Sequence, residues 1–158
     1  MADEQLKQLV SQGLAAMKAG SGVAARATDE ISNDATHPDL KALLEEGNRT
    51  SKQWATRIDD ALQQVGGGDV QDNPVLEAHY EVSRRIRQQA ADENARDLGI
   101  IASGQLALHY WIAAFGTMAA YAEALGLDEV AAAMHASVDD ADEADEEHTK
   151  VASTLLED

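Results

Sequence analysis

The chain has 158 residues, no cysteine and a formal net charge of −17. Disulfide frameworks, thiolate metal sites and cysteine nucleophiles are thereby excluded, and so acidic a surface repels nucleic acid and anionic lipid. Hydrophobic residues make up 44%, with Ala prominent and aromatics at 4%; no β-branched run alternates as a half-buried strand would, so a single all-α domain is predicted.

The opening MADEQLKQLV carries early acids and no long apolar run, unlike a signal peptide. No uninterrupted apolar stretch approaches roughly 18 residues, so no membrane span is expected and the expected location is cytoplasmic. A first helix is predicted over about 3–32, with Leu6, Leu9, Gly13, Ala16, Gly20, Val23 and Ala27 as its apolar stripe. Gly20-Ser21-Gly22 inside it implies a kink, a break or a neighbour that needs room.

Pro38 suits a first helical position, and a second helix follows over about 38–65. Its stripe is Leu40, Leu44, Gly47, Ser51, Trp54, Ile58 and Ala61, and Gly66-Gly67-Gly68 ends it. After a linker, Pro74 opens a short helix over about 74–91, with Val75, Ala78, Val82 and Ile86 expected inward. A third long helix is predicted over about 93–125, stopped by Gly126. The fourth, about 128–155, presents Leu127, Val130, Met134, Val138, Ala141, Asp145, His148, Ala152 and Leu155 on one stripe. Four long helices and one short one make a bundle, with the connection between the second and third long helices acting as a crossover.

The segment RDLGIIASGQLALHYWIAAFGTMAAYAEALGLDE, from Arg96 to Glu129, resembles the YciE/YciF family of ferritin-like stress proteins. The family pattern is RDxALIxAAQxxEHYEIAxYGTLxxxAxxLGLxE. His109-Tyr110, Ile112-Ala113-Ala114, Gly116-Thr117 and Leu125-Gly126-Leu127 match it as they stand. The resemblance implies a ferritin-like four-helix bundle with an additional short helix, a homodimer, a di-metal site and an association with bacterial stress.

Such a di-iron site takes inward carboxylates from all four long helices, because two cations in a buried cavity need several anionic oxygens. At the matching positions the family's EHYE becomes Leu108-His109-Tyr110-Trp111. The second helix carries Gly47 where the family has His, the fourth carries Ala141 at the inward position, and the first carries Ser21. The di-iron centre is therefore expected to be degenerate and the chain to be metal-free. Small residues opposite Leu108 and Trp111 admit two outcomes. Trp111 fills the metal volume, with its indole N–H donating to Ser21, Thr50 or Ser51. Alternatively, Ser21, Gly47, Leu108, Trp111 and Ala141 surround a pocket for a small apolar ligand.

Asp145 and His148 stand at ligand-like spacing, and with Glu46 they are the weak candidates for one iron or manganese ion. A cofactor-free catalyst near Trp111 would draw on Asp145, His148 or Tyr110. The bland reading of Asp145 and His148 is a core or helix-end pair. His109 is expected in an interhelical hydrogen bond or an interface, and His79-Tyr80 and His135 in surface or packing roles. Arg84, Arg85 and Arg87 form a basic patch that suits pairing with the seven acids between Asp139 and Glu147, within a monomer or across a dimer. The function expected is that of a structural, ligand-binding or partner-binding bundle rather than an enzyme; divergent metalloprotein and small-molecule binder are the alternatives.

Overall fold

The structure, a computed structural model, describes residues 2–157. Five helices follow in order: α1 (Ala2–Asp34), α2 (Pro38–Gln64), α3 (Pro74–Gln89), α4 (Glu93–Ala124) and α5 (Asp128–Glu157). Among the described residues there is no strand. α1 pairs with α2, α2 with α5, α5 with α4 and α4 with α1, which closes a four-helix ring. α3 lies outside the ring against α1 and α4.

Local chemistry sets the ends. His37 and Asn73 cap α2 and α3, each followed by proline at the first helical position. α2 ends in a Schellman motif: Gly67 N–H donates to the Leu62 carbonyl at 2.7 Å and Gly66 N–H to that of Gln63 at 3.1 Å. α4 ends the same way, with Leu127 bonded to Ala122 at 2.9 Å and Gly126 to Glu123 at 3.0 Å. Gly66 and Gly126 carry φ of 89° and 67°, which L side chains rarely adopt.

α1 is one continuous helix through Gly20-Ser21-Gly22, so Gly20 serves close approach to a neighbour rather than a break. Its buried face is Val10, Leu14, Ala15, Met17, Gly20 and Val23. The expected stripe is corrected by about one position in the first half, and Leu9 is 48% exposed.

A larger correction falls on α3. Val75, Val82 and Ile86 are 62%, 52% and 39% exposed, whereas Leu76, Ser83 and Arg87 are buried. The reason is electrostatic. Arg87 is enclosed because its guanidinium bonds Asp34 and Glu30 of α1, each at 2.8 Å, and Ser83 at 2.7 Å. Arg84 pairs with Glu30 and Glu81, and Arg85 with Glu81. Within the chain the basic patch therefore pairs with α1 and with its own helix rather than with the acidic face of α5.

α4 is long and apolar enough, by length and composition, to cross a membrane. The physical reason for its composition is its place in the bundle, where it packs on α5, α3 and α1 at once. Two apolar clusters form the interior. The larger centres on Leu14, Trp54, Trp111, Phe115 and Met134. The smaller, at the end holding the α1–α2 turn, contains Ala35, Leu40, Ile100, Ile101 and Leu155.

Candidate functional site

Between the two apolar clusters lies a cavity of about 140 Å³. Its apolar walls include Ile31, Leu44 and Ile100 on one side and Trp54, Leu108 and Trp111 on the other. Gly47 contributes empty space, since a Cβ there would meet nothing within 4 Å. Leu44, Gly47 and Ser51, in the middle of the α2 stripe, are only half-buried because they face this cavity.

A second cavity of about 240 Å³, between α1 and α2, shares Ala24, Thr28, Asn48, Ser51 and both tryptophans with the first. Its outer wall includes Ser21, Asp29 and Lys52. Trp111 and Trp54 thus stand where the two cavities meet. Of the residues expected around a pocket, Gly47, Leu108 and Trp111 line the inner cavity and Ser21 lines the outer one. Ala141 corrects that reading: it is fully buried in the large cluster and belongs to neither wall.

Trp111 is held by aromatic contacts. Its ring is stacked with Phe115 at 5.3 Å and 26°, edge-on to Tyr110 at 5.3 Å, and tilted against Trp54 at 5.9 Å. The expected acceptors Ser21, Thr50 and Ser51 make no hydrogen bond with its indole. It is the Trp54 indole that donates, to Asp140 at 3.2 Å, and Asp140 also holds Arg57. Trp111 therefore fills part of the middle of the bundle, and the cavity is the space left beside it.

The polar groups on the inner wall are uncharged. Among them are Ser83, Ser103, His79, Tyr80 and His148, and no Asp, Glu, Lys or Arg takes part. The Nδ1 of His148 donates to the Ala144 carbonyl at 2.7 Å. Its other nitrogen lies against Gly104, where an added Cβ would stand only 2.8 Å away. Burial pulls the His148 imidazole below its ordinary value, opposed by the Ala144 carbonyl and the Asp145 charge. Burial likewise lowers His79, opposed by its bond to the Ser103 backbone. His79 sits edge-on to Tyr80, with ring centroids 5.0 Å apart. Burial pushes the Tyr80 hydroxyl up to about 12.

His79 and Tyr80 are the cavity residues the sequence reading misses. The apolar stripe of α3 places them off its inward face, and no motif marks them. The Arg96-Asp97 pair of the matched segment also acquires a role from the structure. Buried Asp97 accepts from Thr36 N–H at 3.0 Å, the Thr36 hydroxyl at 2.7 Å and His37 N–H at 2.7 Å. Arg96 donates to the Asp34 carbonyl at 2.8 Å. Together they clamp the α1–α2 turn to the start of α4.

The donor set does not fit the two cations that the family resemblance implies. Asp145 pairs with His109 at 3.2 Å, and its other oxygen is buried without a partner. Glu46 is exposed and paired with Arg49. His148 alone faces the inner cavity, so Glu46, Asp145 and His148 are not brought together. Among the described residues no group of three or more His, Asp or Glu stands close enough to share a metal. His135 pairs with Glu123 at the surface, at 2.8 Å.

A family model described as a domain of unknown function, DUF892, matches residues 5–158. No curated protein matches the sequence. The fold is shared with solved structures, among them the following two. The Escherichia coli stress protein YciF has a TM-score of 0.90 at 19% identity, over 96% of this chain and 97% of its own. YcfI of Rhodopseudomonas palustris has a TM-score of 0.86 at 22% identity, over 91% of this chain and 92% of its own.

Proposed function

This chain belongs to the DUF892 family of YciF-type ferritin-like bundles, and we propose that it acts without a metal, as a non-enzymatic, stress-associated binding protein of the cytoplasm. The observation that carries this reading is the cavity between the two apolar clusters. It lies among Gly47, Leu108 and Trp111, at the positions where the family resemblance places a di-metal centre, and no charged side chain enters its wall. A cavity without anionic oxygens disfavours cations and suits a small uncharged molecule. The stress association follows the description of YciF.

Elemental analysis of protein purified without chelator, together with native mass spectrometry, tests it. The expected result is no stoichiometric iron or manganese, and a retained or added small molecule bound at one per chain. Stoichiometric iron or manganese that is lost in an Asp145→Ala variant would overturn it.

The outward stripe of α3 supports a second, compatible element, a homodimer. Val75, Val82 and Ile86 are exposed beside Leu106 of α4, which is 68% exposed. Ile86 lies over Gly99, and Asn73 bonds the Tyr110 hydroxyl at 2.8 Å, so α3 runs antiparallel along α4 and Leu106 lies alongside the stripe. Burying this stripe on a second copy removes apolar surface from water. A Val82→Glu, Ile86→Glu variant is expected to sediment as a monomer where the parent sediments as a dimer.

A further inference from the structure

The polar atoms left open on the inner wall say what kind of small molecule it takes. Tyr80 is held by burial and by the His79 ring, and no protein group takes up its hydroxyl. Because burial also keeps it protonated in the neutral range, it presents an O–H donor. His148 complements it. With Nδ1–H committed to the Ala144 carbonyl, its Nε2 carries a lone pair and no proton. That lone pair has no partner and borders the cavity beside Gly104. The lining therefore offers a donor and an acceptor, both neutral, beside aliphatic groups, two indoles and the uncharged polar side chains of Thr28, Asn48, Thr50 and Ser51.

A hydroxyl group is the simplest function that both accepts and donates. A cavity of about 140 Å³ is close to the ~150 Å³ engineered cavity that holds one benzene ring. Trp54 and Trp111, both on the lining, suit contact with an aromatic ring. Anions and cations are disfavoured, because no charge in the wall would compensate theirs.

We infer that the inner cavity binds a single-ring aromatic molecule bearing one uncharged hydroxyl, with Tyr80 and His148 reading that hydroxyl and Trp54 and Trp111 holding the ring. This inference rests on the ligand-binding reading above. The outer cavity between α1 and α2 adjoins this site through the shared residues Ala24, Thr28 and Ser51.

The probes are phenol, toluene and benzoate, titrated into the full chain. The readout is the pair of indole N–H resonances in two-dimensional NMR. The chain has 2 tryptophans and both line the cavities, so each signal reports on the site. Phenol is expected to bind about tenfold more tightly than toluene, as one to two net hydrogen bonds would give, and benzoate to leave the signals in place. A merely apolar cavity gives the reverse order, because the phenol hydroxyl would lose its water without replacement. Tyr80→Phe keeps the ring and removes the donor. It is expected to cut the phenol-to-toluene ratio several-fold while leaving toluene affinity unchanged, which also reports that the variant is folded. His148→Phe is expected to lower the same ratio.

Toluene binding as tightly as phenol to the parent, or a ratio unmoved by both variants, would overturn the hydroxyl assignment and leave the ligand-binding reading standing. Silence of both resonances toward phenol and toluene alike would overturn that reading together with the inference.

Discussion

The backbone of Gly20 passes so close to Asn73 that a Cβ at this position would lie 2.6 Å from the Asn73 side-chain nitrogen and 2.8 Å from Leu76 Cδ1. That nitrogen donates to the Ala16 carbonyl at 3.0 Å and to the Tyr110 hydroxyl at 2.8 Å, while the Asn73 oxygen caps α3 through Leu76 N–H at 3.0 Å. The missing side chain of Gly20 thus lets one asparagine join α1, α3 and α4.

Gly20→Ala is expected to destabilise the protein by about 1–2 kcal/mol. Overpacking costs about 1–3 kcal/mol and exceeds the ~1 kcal/mol that alanine contributes to a helix. Gly47→Ala is the contrasting case, because its Cβ enters open space. It is expected to stabilise by up to ~1 kcal/mol. Urea unfolding of the two variants checks the pair, and equal shifts of the same sign would contradict the geometry.

Asp97 is expected to be among the costliest polar positions to change. Asp97→Ala leaves two backbone N–H groups and a hydroxyl without their carboxylate, at about 1.5–3 kcal/mol for each charge-assisted bond before partial replacement by water. A loss of about 3–5 kcal/mol follows, read as a lowered urea midpoint with a nearly unchanged slope. A loss below about 1 kcal/mol would mean that the clamp on the α1–α2 turn is dispensable.

Trp111→Ala removes a buried indole from the aromatic cluster and is expected to lose about 3–5 kcal/mol in thermal or urea unfolding. Trp111→Phe, which keeps a ring against Phe115 and Trp54, should retain most of that. Were the alanine variant nearly as stable as the parent, Trp111 would be a lid over space rather than part of the core.

The two imidazoles lowered by burial, His148 and His79, set a pH dependence. Above the ordinary value of 6.5 both folded and unfolded chains hold them neutral. As pH falls through 6.5 the unfolded chain takes up protons that the folded chain does not, so stability declines until the lowered folded values are reached. His148→Gln is expected to flatten the part of this slope that His148 contributes, in unfolding free energies measured from neutral to mildly acidic pH. A slope identical in parent and variant would count against burial as the cause of the lowered value.

Several of these features were legible in the sequence for identifiable reasons. The α2 stripe from Leu40 to Ala61 and the α5 stripe from Val130 to Leu155 repeat at the helical period, and the structure puts both faces inward. The family match is close around Leu108 and Trp111 and weaker around Gly47, and all three residues line one cavity. The α3 face was not legible. An apolar stripe of Val75, Val82 and Ile86 normally marks the inside, and here the enclosed Arg87 reverses it by pairing with Glu30 and Asp34.

The all-helical class and the positions of the five helices are readable from the chain alone. Each depends on local periodicity, capping residues and side-chain identity, all of which act within a few residues along the chain. The inward side of α3, the anchoring of the α1–α2 turn by Asp97, and the shared lining of His79, Tyr80 and His148 with the tryptophans come from how the helices pack. Those outcomes depend on partners from other helices: Glu30 lies 57 residues from Arg87 and Thr36 lies 61 from Asp97. No pattern within a single helix encodes which distant charge or hydroxyl it will meet.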